Sequence, residues 1–217
     1  MKKALFCFLL LASVSAGAQS EKFVKAMEER LVAIDTIRSP QTLNDLSAAF
    51  ERIALAEKTR WQPFYYAALT QVNRGYALMG NQMGGDPAVL DPVADKADAL
   101  LAQAEALSKD NSEIYVVRKM ILSLRMLVDP MNRFQEFGPK AQEALETARR
   151  LDPENPRTYL LEGQDLFFTP EQYGGSKEEA KKRFETALQK FETFKPKSSI
   201  DPVWGKAVAA YFMGQVK

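Results

Sequence analysis

"LDPENPRTYLLEG", residues 151–163, sets two prolines three residues apart between two apolar, helix-like runs. Arg149 and Arg150 come just before it, where cations suit the negative end of a helix. Pro153 blocks continuation of that helix. Asn155-Pro156 then offers a capping side chain followed by a proline at the first helical position, where its missing N–H has no intrahelical partner to lose. The stretch is punctuation between helices rather than a recognition motif.

The same punctuation recurs outward along the chain. Ser39-Pro40, Asp91-Pro92 and Asp201-Pro202 each place an N-cap residue before proline, and Ser176-Lys177-Glu178-Glu179 reads as a capping box. Between these marks apolar residues recur at helical spacing, and Val/Ile/Thr-rich alternating runs are scarce. The pattern predicts helices over 21–38, 41–57, 61–79, 92–108, 112–127, 138–150, 156–168, 176–193 and 202–214. That is an all-α chain of four antiparallel pairs and a single C-terminal capping helix. The stretches 80–91, 129–139 and 169–176 are expected as loops inside pairs, projecting from one edge where insertions often bind.

The second helices share a spacing. Ala141, Leu145, Ala148 and Pro153 fall at offsets of four, seven and twelve. Ala180, Phe184 and Ala187 repeat the first three positions, as do Ala97, Leu101 and Ala104, while Leu46, Phe50 and Ile53 form a bulkier copy. Among the first helices Tyr159, Gly163 and Leu166 match, with Gly163 at the close-approach position. Through "AQEALETARRLDPENP", "TYLLEGQDL" and "EEAKKRFETAL" the chain resembles the tetratricopeptide repeat family. The resemblance implies a right-handed superhelix with a concave, partner-binding side. The repeats depart from the family in length: 44 residues separate Ala97 from Ala141 and 39 separate Ala141 from Ala180, against about 34 in the standard repeat. The segment "TPEQYGGSKEEAKKRFETAL" also resembles the tetratricopeptide proteins associated with tripartite ATP-independent periplasmic transporters.

The first residues, "MKKALFCFLLLASVSAGAQS", have the layout of a secretory signal peptide: two lysines, a short apolar run, then the A-x-A of Ala16-Gly17-Ala18. Residues 1–18 are expected to be removed, leaving a single domain over 19–217 in the periplasm; cleavage after Ala16 is the near alternative. Cys7 is the only cysteine, so the mature chain can form no disulfide. Losing Lys2 and Lys3 takes the 29 basic residues to 27 against 28 acidic, a net charge of −1. That balance gives no electrostatic case for nucleic acid.

The inventory also argues against catalysis. There is no histidine, no mature cysteine, and no G-x-S-x-G, Walker A or G-x-G-x-x-G motif. Asp86, Asp91 and Asp95 lack EF-hand spacing. No cofactor, no metal and no enzyme activity are expected. Polar and aromatic residues on the first helices are the binding candidates: Tyr65, Tyr66, Asn73 and Arg74, then Arg118 and Arg125, then Arg157, Tyr159 and Gln164. Rings and arginines in a groove would grip an extended peptide or a carboxylate. The arginines also have an internal reading, in which Arg118 or Arg125 pairs with Glu162 or Asp165 and holds neighbouring repeats in register. The main functional expectation is a scaffold or adaptor for a protein or peptide partner. Small-ligand binding or transport accessory work is the alternative, and self-assembly through the ends of the array a third.

Overall fold

The computed structural model describes residues 21–32, 34–80 and 84–216; the signal-peptide expectation lies outside them. The described chain is all-α. Helix α1 covers 21–31. It is followed by α2 (Pro40–Glu57), α3 (Trp61–Met79), α4 (Pro87–Leu107), α5 (Ser112–Val128), α6 (Pro130–Leu151) and α7 (Pro156–Phe168). A short 3-10 turn (Glu171–Tyr173), α8 (Lys177–Thr193) and α9 (Lys206–Gln215) complete it.

The caps explain most boundaries. Ser39 accepts from the Thr42 amide and Asn155 from the Arg157 amide, each with proline at the start of its helix. Ser176 accepts from the Glu179 amide, but the capping box is not reciprocal. The Ser176 N–H bonds to the Leu166 carbonyl, and the Glu179 carboxylate goes to Lys182.

Four expected boundaries move. α1 stops at 31 rather than 38. α4 starts at Asp86-Pro87, not Asp91-Pro92, and carries Pro92 inside it. Asp91 is no cap: both its oxygens accept from Arg133 of α6, at 2.6 and 2.8 Å. α6 starts at Pro130, capped by Asp129, so the expected loop 129–139 is nearly three turns of helix with Pro139 inside. α9 starts at Lys206 rather than 202, because Asp201–Gly205 is committed to tertiary bonds described below.

Helices α3–α4, α5–α6 and α7–α8 form the expected hairpins; α2 packs on α3, α5 on both α3 and α4, and α9 on α8. The small-residue spacing does what its chemistry requires. Ala97, Ala104, Ala148, Ala180 and Ala187 are fully buried, with Leu101, Leu145 and Phe184 filling the space between helices. At Gly163 a β-carbon would come within 2.6 Å of the Phe184 ring, so glycine sets the α7–α8 approach. Polar bonds tie helices across the core: Ser47 Oγ to the Ala67 carbonyl, Ser112 Oγ to Ala148, and the Tyr76 hydroxyl to Met120. Each contributes about 1 kcal/mol net and would cost more if left half-made.

Candidate functional site

Three of the residues expected to line a groove lie inside the protein. Tyr65, Tyr66 and Arg157 are wholly buried. Arg157 donates to Glu113 Oε1 at 2.9 Å and to the Pro202 carbonyl at 2.6 Å. The rings of Phe191, Phe194 and Trp204 enclose its guanidinium, with centroids 5.0–5.7 Å away. Glu113 also accepts from Asn155 and from the Tyr65 hydroxyl, which in turn accepts from Trp204 Nε1 at 2.7 Å. Burial pushes the Glu113 carboxyl up against the opposing pull of Arg157, and it pushes both tyrosines well above their ordinary range. A buried guanidinium needs a partner, and this one uses it to moor the segment leading into α9. The groove expectation for these three is corrected: they knit the interior.

The other arginines are paired, but not with the expected partners. Arg118 donates to both oxygens of Glu105, at 3.1 and 2.7 Å, and lies over the Tyr115 ring. Arg125 bridges Asp95 and Asp98. All three carboxylates sit on the preceding helix, α4, not on α7. Asp165 instead takes Lys119, and Glu162 is shared by Arg149 and Arg183. The guanidinium hydrogens that would hold a ligand carboxylate are thus largely spent within the protein.

Asn73 and Arg74 are half-buried on α3, with Arg74 reaching Gln71 at 3.5 Å. The Tyr159 hydroxyl donates to the Pro153 carbonyl, and its ring lies close to both Arg149 and Lys190. Gln164 is half-buried on α7. An open recess of about 390 Å³ lies against α4 and α5, lined by Ala102, Glu105, Ala106, Lys109, Asp110 and Tyr115. The named residues therefore do not converge on one site.

A different cluster does converge. Phe167 and Phe168 end α7, and Tyr211 and Phe212 lie on α9. Phe212 meets Phe167 and Phe168 edge-on at 5.5 Å and stacks on the buried Phe184 of α8 at 5.4 Å, while Tyr211 touches it edge-on. The inner members are packed, yet Phe168 is 61% and Tyr211 63% exposed, and Tyr173 on the neighbouring turn is 75% exposed. Lys177 Nζ stands 6.0 Å from the Phe167 ring centre. Exposed rings backed by a rigid aromatic base, with a cation at the margin, suit a flat apolar ligand. The sequence carried only a weak signal for this cluster: the aromatic pairs Phe167-Phe168 and Tyr211-Phe212 lie near helix C-termini, but consecutive helical aromatics can both be buried, as Tyr65-Tyr66 are.

Among the described residues no three His, Cys, Asp or Glu side chains gather to hold a metal ion, and no helix is long and apolar enough to cross a membrane. The architecture defines an all-α protein of packed helical hairpins that offers an aromatic surface at its C-terminal end. No family model and no curated protein matches the chain, so the tetratricopeptide resemblance has no such support. Among solved structures the chain is similar to the HusA haemophore from Porphyromonas gingivalis, at 31% identity and a TM-score of 0.77, over 90% of this chain and 92% of that one. At that identity over nearly the whole of both proteins, the chain belongs to the same family as this haemophore.

Proposed function

We propose that the protein is a non-catalytic carrier of haem or a related tetrapyrrole, exported to the periplasm. The observation that carries this reading is the similarity to the HusA haemophore across almost the full length of both chains. It favours the small-ligand alternative over the adaptor. The aromatic cluster supplies a place for such cargo: a flat macrocycle laid on Phe168 and Tyr211 would cover rings now in water, with Phe212 and Phe184 holding the base rigid.

The donor set bears on how such cargo would be held. The sequence has no histidine, and its single cysteine falls in the expected signal peptide, so imidazole and thiolate ligation of iron are closed. Tyr211 in the cluster and Tyr173 on the neighbouring turn are exposed and carry hydroxyls, a donor type that haem iron accepts. Recognition through the ring face is the mode the exposed aromatic rings themselves fit.

Titration of the mature protein with haemin and with iron-free protoporphyrin, followed by absorbance, tests the reading. Both ligands should bind with similar affinity. A Phe168→Ala/Tyr211→Ala double variant should weaken both by about tenfold to a hundredfold, from roughly 0.5–1.5 kcal/mol per lost ring contact plus buried area. Absence of binding by either ligand would end the proposal, and full binding by the double variant would move the site elsewhere.

A protein partner remains a second reading, carried by one observation. Met131 and Phe134, on the first turns of α6, are 92% and 61% exposed and three residues apart, on one helix face.

A further inference from the structure

Most cations of α8 are neutralised within the protein. Lys182 pairs with Glu178 and Glu179, Arg183 with Glu162, and Lys190 with Glu154. Lys177 and Lys181 have no carboxylate partner among the described residues, and both are exposed. Lys177 is the first residue of α8, where the positive end of the helix disfavours an ammonium. Its contact within the described protein is with the Phe167 ring, 6.0 Å from the ring centre.

Lys206 of α9 bonds Glu192 near the end of α8, while Phe212 stacks on Phe184 nearer its start, so the two helices run antiparallel. The last turn of α9 therefore heads towards the opening turns of α8. Lys177 and Lys181 are four residues apart on one face, and Phe184 lies seven residues from Lys177, within about 20° of it around the helix. The two lysines thus rim the side of α8 that carries the ring cluster, and Lys177 already stands over Phe167.

We infer that Lys177 and Lys181 select, at this aromatic site, planar ligands that carry carboxylates along one edge. The inference rests on the tetrapyrrole reading above and narrows its chemistry: rings bind the face, and the two ammonium groups bind the edge. Neither lysine is buried, so their replacement leaves the fold intact.

The test compares iron-free protoporphyrin, a diacid, with its dimethyl ester, both presented from the same dilute detergent to wild type and to Lys177→Ala/Lys181→Ala. Wild type should bind the diacid roughly fivefold or more tighter than the ester, and the variant should lose that margin while keeping its ester affinity. The margin should also shrink with added salt. Equal binding of diacid and ester by wild type, or equal losses for both in the variant, would overturn the inference while leaving the tetrapyrrole reading standing. Binding of neither ligand by wild type would remove both.

Discussion

Replacing Gly163 with alanine puts a methyl group against a ring that cannot retreat freely. A β-carbon there would sit 2.6, 2.7 and 3.1 Å from three carbons of Phe184. That ring is wholly buried and stacked on Phe212, 5.4 Å away, so its path of escape leads into the aromatic cluster. Overpacking of this kind costs about 1–3 kcal/mol. Removing glycine from a helix interior returns about 0.5–1 kcal/mol, so a net loss of about 1 kcal/mol, and at most about 2.5 kcal/mol, is expected. For a chain of this size each 1 kcal/mol lowers Tm by about 2–4 °C. Gly214 on α9 is the control, since a β-carbon there meets nothing within 4 Å. Gly214→Ala should therefore be neutral or slightly stabilising. Urea denaturation of the two variants beside wild type reads the difference. A Gly163→Ala protein as stable as Gly214→Ala would refute the argument that glycine sets the α7–α8 approach.

Glu113 gives a pH-dependent expectation. Burial holds its carboxyl above the ordinary 4.5 despite Arg157. The folded chain therefore keeps that proton to higher pH than the unfolded one, and stability falls as pH rises from about 4.5 through the folded value. Glu113→Gln has no such proton and should gain on wild type as pH is raised across this window, read as Tm from pH 4 to 8; a variant that loses ground as pH rises would show that Arg157 prevails over burial. Asn155 caps α7 and also donates to Ser112 and Glu113. Asn155→Ala should therefore cost about 2–3 kcal/mol, against about 1 kcal/mol for the exposed cap Ser39→Ala. Equal losses by chemical denaturation would mean that the two buried bonds contribute nothing.

Much of the fold was legible because caps and small-residue spacing are local chemistry. Asn155-Pro156 and Ser39-Pro40 start helices as read, and the Ala-x-x-x-Leu/Phe-x-x-Ala pattern lands in the hairpin contacts. The failures came where a distant partner overrode a local signal. Asp91 looks like a cap until Arg133, 42 residues away, claims both its oxygens. Asp201-Pro202 looks like a helix start, but Gln62 takes the Asp201 side chain and Arg157 the Pro202 carbonyl.

The site was less legible for the same reason. Arg157 has the appearance of a groove arginine, and only the fold reveals that Glu113, Trp204 and two phenylalanines close round it. Arg118 and Arg125 were open to pairing or to ligand binding, and their carboxylates proved to lie on α4 rather than on the next first helix. The ring cluster joins residues of α7, α8 and α9 that are up to 45 positions apart, from Phe167 to Phe212. No single stretch announces it, and an aromatic pair alone does not tell which ring faces out: Tyr65-Tyr66 is wholly buried, while Phe168 and Tyr211 are exposed.

The place where a tetrapyrrole sits on the protein can be read directly. Iron-free protoporphyrin titrated into protein carrying ring-labelled phenylalanine and tyrosine, observed by NMR, shows it without the broadening that paramagnetic iron causes. Phe167, Phe168, Tyr211 and Phe212 should shift together while Tyr65 and Tyr66 stay in place. Shifts confined to Tyr115 beside the α4–α5 recess, or no shifts at all, would contradict this placement.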